Sequence, residues 1–274
     1  MPRRVAIYAR PDRVEALELA REAYRRLLKL GAEPAYDISI AGPLGGPGVD
    51  LRFDDVEGVV VIGGDGTLLR LLQLLGARNP VLHLVRLGRR AFLFDEGPRA
   101  SMERLADFVE GRFRVEEHPR LIVRARGGVS YALNEAAVLA LGSKVAGLRV
   151  ELGGETAYED LEGDGLIIAT PTGSTAYCYS AGGPVLHPGL DAVAVVPVNP
   201  LDRRIGSIVA PGGEPVRLVV ERTTRPVKLI IDGVRESLLA RGAVIEAVLR
   251  GPPARIARYR GGGKLRLPWR RPTC

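Results

Sequence analysis

Four consecutive β-branched residues, Val59-Val60-Val61-Ile62, run directly into Gly63-Gly64-Asp65-Gly66-Thr67, and leucines follow at helical spacing from Leu68 to Leu72. An aliphatic run with no polar face predicts a strand covered on both sides, as in parallel sheets flanked by helices. Glycines at its end let the backbone turn tightly and approach a ligand, while the following helix offers N-terminal N–H groups to an anion. Asp65 is the odd member. A carboxylate beside a phosphate is repelled unless a cation intervenes or the carboxylate handles a proton, and a kinase needs both functions. An ordinary strand-to-helix turn capped by an aspartate would use the same residues.

The first hundred residues read as an α/β unit. Residues 5–9 predict a strand, and 12–30 an amphipathic helix with Val14, Leu17, Ala20, Tyr24, Leu27 and Leu28 on its apolar side and Gly31 as its stop. A Gly/Pro-rich stretch, 42–48, separates this unit from the strand carrying the turn; 80–85 predicts the next strand and 101–109 a helix. His83 then belongs to the core or lines the cleft, and no second histidine lies nearby to make a metal pair. Beyond Phe113, short aliphatic runs at 121–125, 131–133, 145–152, 166–169 and 216–221 favour strands. The fold class expected is therefore α/β plus mainly β: an N-terminal doubly wound α/β domain, residues 1–110, and a C-terminal β-rich, β-sandwich-like domain, residues 111–245.

Composition narrows the function classes without choosing one. The formal charge of +7 sets a field that favours anions, and a nucleotide substrate answers it as well as nucleic acid does. Zinc-finger spacing, a basic region with heptads and paired RNA-binding aromatics are all missing, so no nucleic-acid partner is expected. No run approaches the roughly 20 apolar residues that span a membrane, and the start reads as a first strand rather than a signal peptide. A cytoplasmic enzyme without a membrane partner is the expectation. Cys178 and Cys274 make no motif, which leaves Cys178 as a small packed thiol.

A second motif is richer than a β domain needs. The strand pattern 164–169 leads into Thr170-Pro171-Thr172-Gly173-Ser174-Thr175-Ala176-Tyr177, and Ser180-Ala181-Gly182-Gly183-Pro184 extends the small-residue surface. Four hydroxyls and one tyrosine can satisfy ribose or amide groups while Tyr177 covers an aromatic base. Asn134-Glu135, just after Tyr131-Ala132-Leu133, adds an amide that donates and accepts and a carboxylate able to grip ribose hydroxyls or organise a cation. A plain turn would use that pair equally well.

Taken in order, Gly63-Gly64-Asp65-Gly66-Thr67, Asn134-Glu135, Asp164-Gly165 and the 170–184 loop resemble the NAD kinase family, within the wider group of kinases bearing a Gly-Gly-Asp-Gly-Thr turn. That resemblance implies phosphoryl transfer from ATP, or in some members polyphosphate, to the adenosine-ribose 2'-hydroxyl of NAD, with Mg2+ or another divalent cation bound with ATP. It implies that Asp65 is the catalytic carboxylate and that Gly64, Gly66 and Thr67 are phosphate contacts. Asn134 and Glu135 become nucleotide contacts, Asp164 a nicotinamide-side contact, and Thr172, Thr175, Ala176, Tyr177 and Ser180 parts of the NAD-binding loop. It further implies a cleft between the two domains, a C-terminal segment, 246–274, returning to the first domain, and a homodimer or homotetramer.

One segment departs from the pattern. Where relatives carry Gly-x-Asn-x-Gly-x-x-Gly-Phe-Leu, residues 84–93 place Arg86 for the Asn and Ala91 for a Gly, keeping Phe92. Arg86 and Phe92 are accordingly taken as further nucleotide contacts; the added positive charge either engages phosphates or crowds the NAD pose. Asn199-Pro200 replaces a Pro-His pair, and Asp232-Gly233 reads as a β-turn. The alternatives are a related kinase for another hydroxylated nucleotide, lipid or small metabolite, and a non-catalytic nucleotide-binding regulatory module.

Overall fold

The computed structural model describes residues 2–88, 91–142 and 144–259; Arg89, Arg90, Cys274 and the remainder of the C-terminal segment lie outside them. The described chain divides into two compact units, residues 2–118 with 253–259, and residues 119–252.

In the first unit the order is β1 (Arg4–Ala9), α1 (Val14–Lys29), β2 (Glu33–Asp37), α2 (Ile38–Leu44), β3 (Gly48–Val49), β4 (Gly58–Gly63), α3 (Asp65–Leu75), β5 (Val81–Arg86), α4 (Pro98–Glu103) and α5 (Leu105–Val109). The strands pair in parallel in the order β3-β2-β1-β4-β5. The sheet grows outward from β1 through β2 and β3, then restarts on the other side of β1 with β4. That reversal makes the carboxyl ends of β1 and β4 a topological switch point, where open α/β sheets bind ligands.

Every residue of β4 is buried. Val60 and Ile62 pack with Val5, Ile7, Leu27 and Phe108 in one core, while Val59 and Val61, which alternate to the other face, are equally buried. Both faces are thus covered, as the doubly wound expectation requires. On α1 the buried residues Ala16, Ala20, Ala23 and Leu27 recur at helical spacing, and their small size lets the helix sit close to the sheet.

The separator expected at 42–48 is partly helical. Asp37 accepts a hydrogen bond from the Ser39 N–H at 3.0 Å to open α2, and Gly45, at φ 67°, closes it in the left-handed conformation. Those two caps offset Pro43 in the last turn, which lacks the N–H that would bond the Ser39 carbonyl. The helix expected at 101–109 is two short ones, α4 and α5, with Pro98 at the start of the first.

Unit boundaries fall inside β6 (Arg114–Ala125) and the final strand. Between them lie β7 (Gly128–Ala132), β8 (Glu135–Ala140), β9 (Ala146–Leu152), β10 (Glu155–Gly163), β11 (Gly165–Ala169), a 3-10 turn (Gly173–Thr175), α6 (Tyr177–Ser180), β12 (Ala192–Val198), β13 (Ile208–Pro211), β14 (Val216–Arg222), β15 (Val227–Ile231), β16 (Arg235–Leu239) and β17 (Val244–Arg258). One antiparallel sheet of this unit contains β10-β9-β14 and the first part of β17; the other runs β13-β12-β11-β8-β15-β16. Leu148, Val150, Leu218 and Val220 from the first share a core with Val138, Leu166, Ile168, Val195 and Leu229 from the second. Two sheets facing across one apolar layer form a sandwich. The alternate positions of the first sheet are charged and face outward, where Arg217 pairs with Glu151 at 2.9 Å and Arg149 with Glu221 at 2.9 Å.

In the first unit, Arg255 and Ile256 of β17 pair in parallel with Val81 and Leu82. His83 is fully buried and fills a core role, its Nδ1 facing the Tyr259 hydroxyl at 2.5 Å and its Nε2 the Ser101 carbonyl at 3.0 Å. Cys178 is a buried free thiol, pushed up to about 12 by burial with a smaller contribution from the charge of Glu135. Among the described residues no helix is long and apolar enough to cross a membrane.

Candidate active site

The glycine-acid turn leaves the carboxyl end of β4 beside β1, at the switch point. Gly63 has no alternative residue, because a Cβ there would lie 2.2 Å from Thr67 Oγ1 and 2.6 Å from Thr67 Cβ. Thr67 itself is buried, its side chain packed on Gly63. Gly64 is extended (φ −136°, ψ −168°) and its carbonyl accepts from the Thr67 and Leu68 N–H groups at 2.9 and 3.1 Å, which starts α3. A Cβ on Gly66 would meet nothing within 4 Å, so the first turn of α3 is open on that side. The free N–H groups there and the helix dipole both favour an anion.

Asp65 does not cap its own helix. The N-cap is Gly64, and the carboxylate reaches instead to the 91–95 segment, Oδ2 accepting from the Phe92 N–H at 2.6 Å and Oδ1 from the Leu93 N–H at 3.1 Å. An ionised carboxylate offers about four acceptor positions, so two remain for a substrate or a cation. Phe92 contributes its backbone here, and the residue is 39% exposed. Arg86 ends β5 directly opposite Gly63, and its guanidinium makes no hydrogen bond or ion pair among the described residues. Its charge therefore stands beside the turn uncommitted.

In the second unit a different group assembles. The Leu133, Asn134 and Glu135 N–H groups donate to the Asp232 carboxylate at 2.9, 2.7 and 3.2 Å, and the Asp232 N–H donates back to the Glu135 carbonyl at 3.0 Å. Asp232 and Gly233 both adopt positive φ, 52° and 64°, the primed turn that suits a hairpin's twist. The Asp232-Gly233 β-turn is thus also a clamp on the strand end carrying Asn134-Glu135.

The hydroxyl loop lies on the same strand end. Thr170 Oγ1 donates to the Leu133 carbonyl at 2.5 Å and accepts from the Gly173 N–H at 3.0 Å, while Ser174 Oγ donates to the Pro171 carbonyl and accepts from the Leu186 N–H. Those two hydroxyls are buried and fold the loop. Thr172 and Thr175 are half-buried, and Tyr177 and Ser180 are exposed, on either side of a half-buried Ala176 and a buried Cys178. Gly173 is required for this contact, since a Cβ would lie 2.0 Å from the Asn134 carbonyl oxygen.

Asp164 sits elsewhere. Ala169 pairs with Glu135 and Gly165 with Leu139, so Asp164 lies beyond the opposite end of β11, roughly 13 Å or more away along the strand. There it accepts from Asn199 Nδ2 at 2.8 Å. The structure therefore joins Asn134, Glu135 and the 170–177 loop, and places Asp164 apart from them.

Electrostatics sharpen this second group. Burial, reinforced by the charge of Asp232, pushes the Glu135 carboxyl up to about 8, and its Oε2 has no hydrogen-bond partner among the described residues. Near neutral pH it largely keeps its proton and can donate a hydrogen bond. Arg120, fully buried over the Tyr131 ring, gives its Nε to the Pro252 carbonyl and is lowered to about 10 by burial, which the charge of Asp232 partly opposes.

Among the described residues no three His, Cys, Asp or Glu side chains gather as a metal cage. Asp65, with unused acceptor positions beside an open helix N-terminus, suits Mg2+, which binds through one or two carboxylates while substrate phosphates complete its shell. Sequence reading missed the anchoring role of Leu93, the clamp made by Asp232, and buried Arg120. Asp232-Gly233 carried a turn signal, but no local pattern reveals which backbone a carboxylate will meet a hundred residues away.

Comparison with known proteins adds an independent line. Residues 133–254 match the ATP-NAD kinase C-terminal domain family. An NAD kinase of Aeropyrum pernix is 36% identical over 249 residues, covering 89% of both chains. Of solved structures, an NAD kinase from Archaeoglobus fulgidus in complex with ATP superposes with a TM-score of 0.76 at 26% identity, covering 93% of this chain and 94% of that one. Yeast NADH kinase complexed with NADH superposes with a TM-score of 0.85 at 21% identity, over 94% of this chain and 84% of that one, a likeness of fold.

Proposed function

The chain belongs to the NAD kinase family, and on that footing we propose that it transfers the terminal phosphoryl group of ATP to the adenosine-ribose 2'-hydroxyl of NAD, giving NADP. The observation that carries the reading is the Asp65 carboxylate, held by two backbone amides at the open N-terminus of α3 instead of capping it.

In this reaction the 2'-oxygen bonds to the γ-phosphorus, the bond to ADP breaks, and the hydroxyl proton passes to Asp65. The α3 N-terminus, with Gly64, Gly66 and the uncommitted Arg86, receives phosphate oxygens. Mg2+, which Asp65 would hold, supplies charge neutralisation on the phosphates when bound. In the second unit, Asn134 and the proton-bearing Glu135 hydrogen-bond the nucleotide, Thr172, Thr175, Ala176 and Ser180 line its path, and Tyr177 covers a ring. Phe92 adds a second exposed aromatic residue, and Asp164 meets the nicotinamide side. We take the working form to be a cytoplasmic homodimer or homotetramer, which light scattering of the purified chain tests.

The deciding experiment is mass-resolved product detection after incubation with NAD, ATP and Mg2+, with NADH and polyphosphate in parallel reactions. The expected product is heavier than NAD by one phosphoryl group, placed at the adenosine 2' position. Asp65→Asn should fold normally and lose about 10² to 10⁴-fold in kcat. Wild-type turnover by that variant would remove Asp65 from the mechanism.

A further inference from the structure

The two amides that orient Asp65 belong to residues outside any helix or strand. A loop holds a carboxylate in place only if something holds the loop. Phe94 is buried at its far side, and the polar anchor is Arg258, at the end of β17 and 7% exposed. Arg258 Nη1 donates to the Leu93 carbonyl at 2.7 Å and to Asp95 Oδ2 at 2.8 Å, while Nε donates to Glu116. Leu93 is therefore tied at both ends, its N–H to Asp65 and its C=O to Arg258.

The anchor is well founded. Glu116 is held down at about 2, first by His118 beside it at 3.6 Å and then by the charge of Arg258, against the opposing effect of burial, so it stays anionic and keeps the guanidinium in place. Arg255 and Ile256, just before Arg258, pair with β5, which gives the guanidinium a rigid base. Only arginine can serve Leu93, Asp95 and Glu116 together, because its planar fork presents donors in several fixed directions at once.

We propose that Arg258 is a positioning residue for phosphoryl transfer, fixing the Phe92-Leu93 amides through the Leu93 carbonyl and thereby the orientation of the Asp65 carboxylate. The proposal rests on Asp65 being the catalytic carboxylate. Arg258 touches neither substrate in this scheme, so its main effect falls on the chemical step, with a smaller one on nucleotide binding through Phe92 on the same loop.

The test is steady-state kinetics of Arg258→Gln, Arg258→Lys, Glu116→Gln, Asp65→Asn and the Asp65→Asn/Arg258→Gln double variant, each checked by its thermal midpoint. Arg258→Gln should lose about 10- to 100-fold in kcat, the range expected when a supporting group lets a reacting group drift. Its KM values for NAD and ATP should change less than kcat does. Arg258→Lys should recover part of the loss, and Glu116→Gln should show a smaller fall of the same kind. The double variant should be no slower than Asp65→Asn alone, because Arg258 works only through that carboxylate. If Arg258→Gln does not fold, the lysine and Glu116 variants decide: a fall in kcat larger than any change in KM supports the role, and unchanged kcat in both overturns it. A raised KM with intact kcat, or losses that multiply in the double variant, also overturns it while leaving Asp65 catalytic. An active Asp65→Asn overturns the catalytic reading of Asp65 itself, and the Arg258 proposal with it.

Discussion

Asp232→Asn tests whether the clamp on the Asn134-Glu135 strand end stabilises the second unit. The carboxylate accepts three backbone N–H bonds, from Asn134 and Glu135 on Oδ1 and from Leu133 on Oδ2. An asparagine keeps one acceptor oxygen, which can retain the first two. Its amide NH2 then faces the Leu133 N–H, donor against donor. One bond to a charged acceptor disappears, worth about 1.5–3 kcal/mol, and a buried donor is left unmet at roughly 1–3 kcal/mol. The sum is about 2.5–6 kcal/mol, to which buried Arg120 adds by losing a compensating charge. Against a typical folding stability of roughly 5–15 kcal/mol that is a large share. Urea unfolding followed by a probe in the second unit measures it. The same substitution should lower the pKa of Glu135, since the charge of Asp232 is one of the two causes of its elevation, while burial keeps it above the ordinary value. A loss below about 1 kcal/mol, or a Glu135 titration that does not move down, would refute the clamp.

Two further outcomes follow from groups on the page. His83, held near 4 by burial, binds its proton more weakly folded than unfolded, where about 6.5 applies. Stability should therefore be intact above pH 6.5 and decline as pH falls toward 4, by up to roughly 3 kcal/mol. His83→Phe should flatten that limb in denaturation curves taken across the range, and parallel pH dependence in the two proteins would exclude the cause. Gly173→Ala should cost about 3 kcal/mol or more, because the added carbon meets the Asn134 backbone and neither partner is a movable side-chain end. It should weaken NAD binding measured by calorimetry as well, and unchanged affinity would separate the loop from the dinucleotide.

Local rules made much of this protein legible. The unbroken aliphatic run at 59–62 predicts a strand buried on both faces, and β4 is one. Helical spacing from Val14 to Leu28 gives α1, but its buried face is Ala16, Ala20, Ala23 and Leu27, and Val14 and Leu28, expected on the apolar side, are exposed. The glycines at 63–66 mark the end of the strand and the start of a helix, and α3 begins there at Asp65. Less was legible where one local signal opposed another. Gly42 and Pro43 argue against a helix, yet the Asp37 cap and left-handed Gly45 carry α2 through them. Hydroxyl density at 170–175 suggested ligand contacts, but Thr170 and Ser174 spend theirs folding the loop.

The sequence by itself determined the strand-turn-helix around Asp65, the two-part fold class and the residue types able to handle a phosphoryl group. These depend on neighbours a few positions apart, where spacing translates directly into faces and turns. Tertiary structure alone decided the state of each group. Asp65 meets amides 27 and 28 positions away, Asp232 meets amides 97 to 99 positions away, and Arg258 meets a carbonyl 165 positions away. A carboxylate's orientation, its proton and its stability are set by the donors and the desolvation around it, and those arrive from whatever segments the fold brings together.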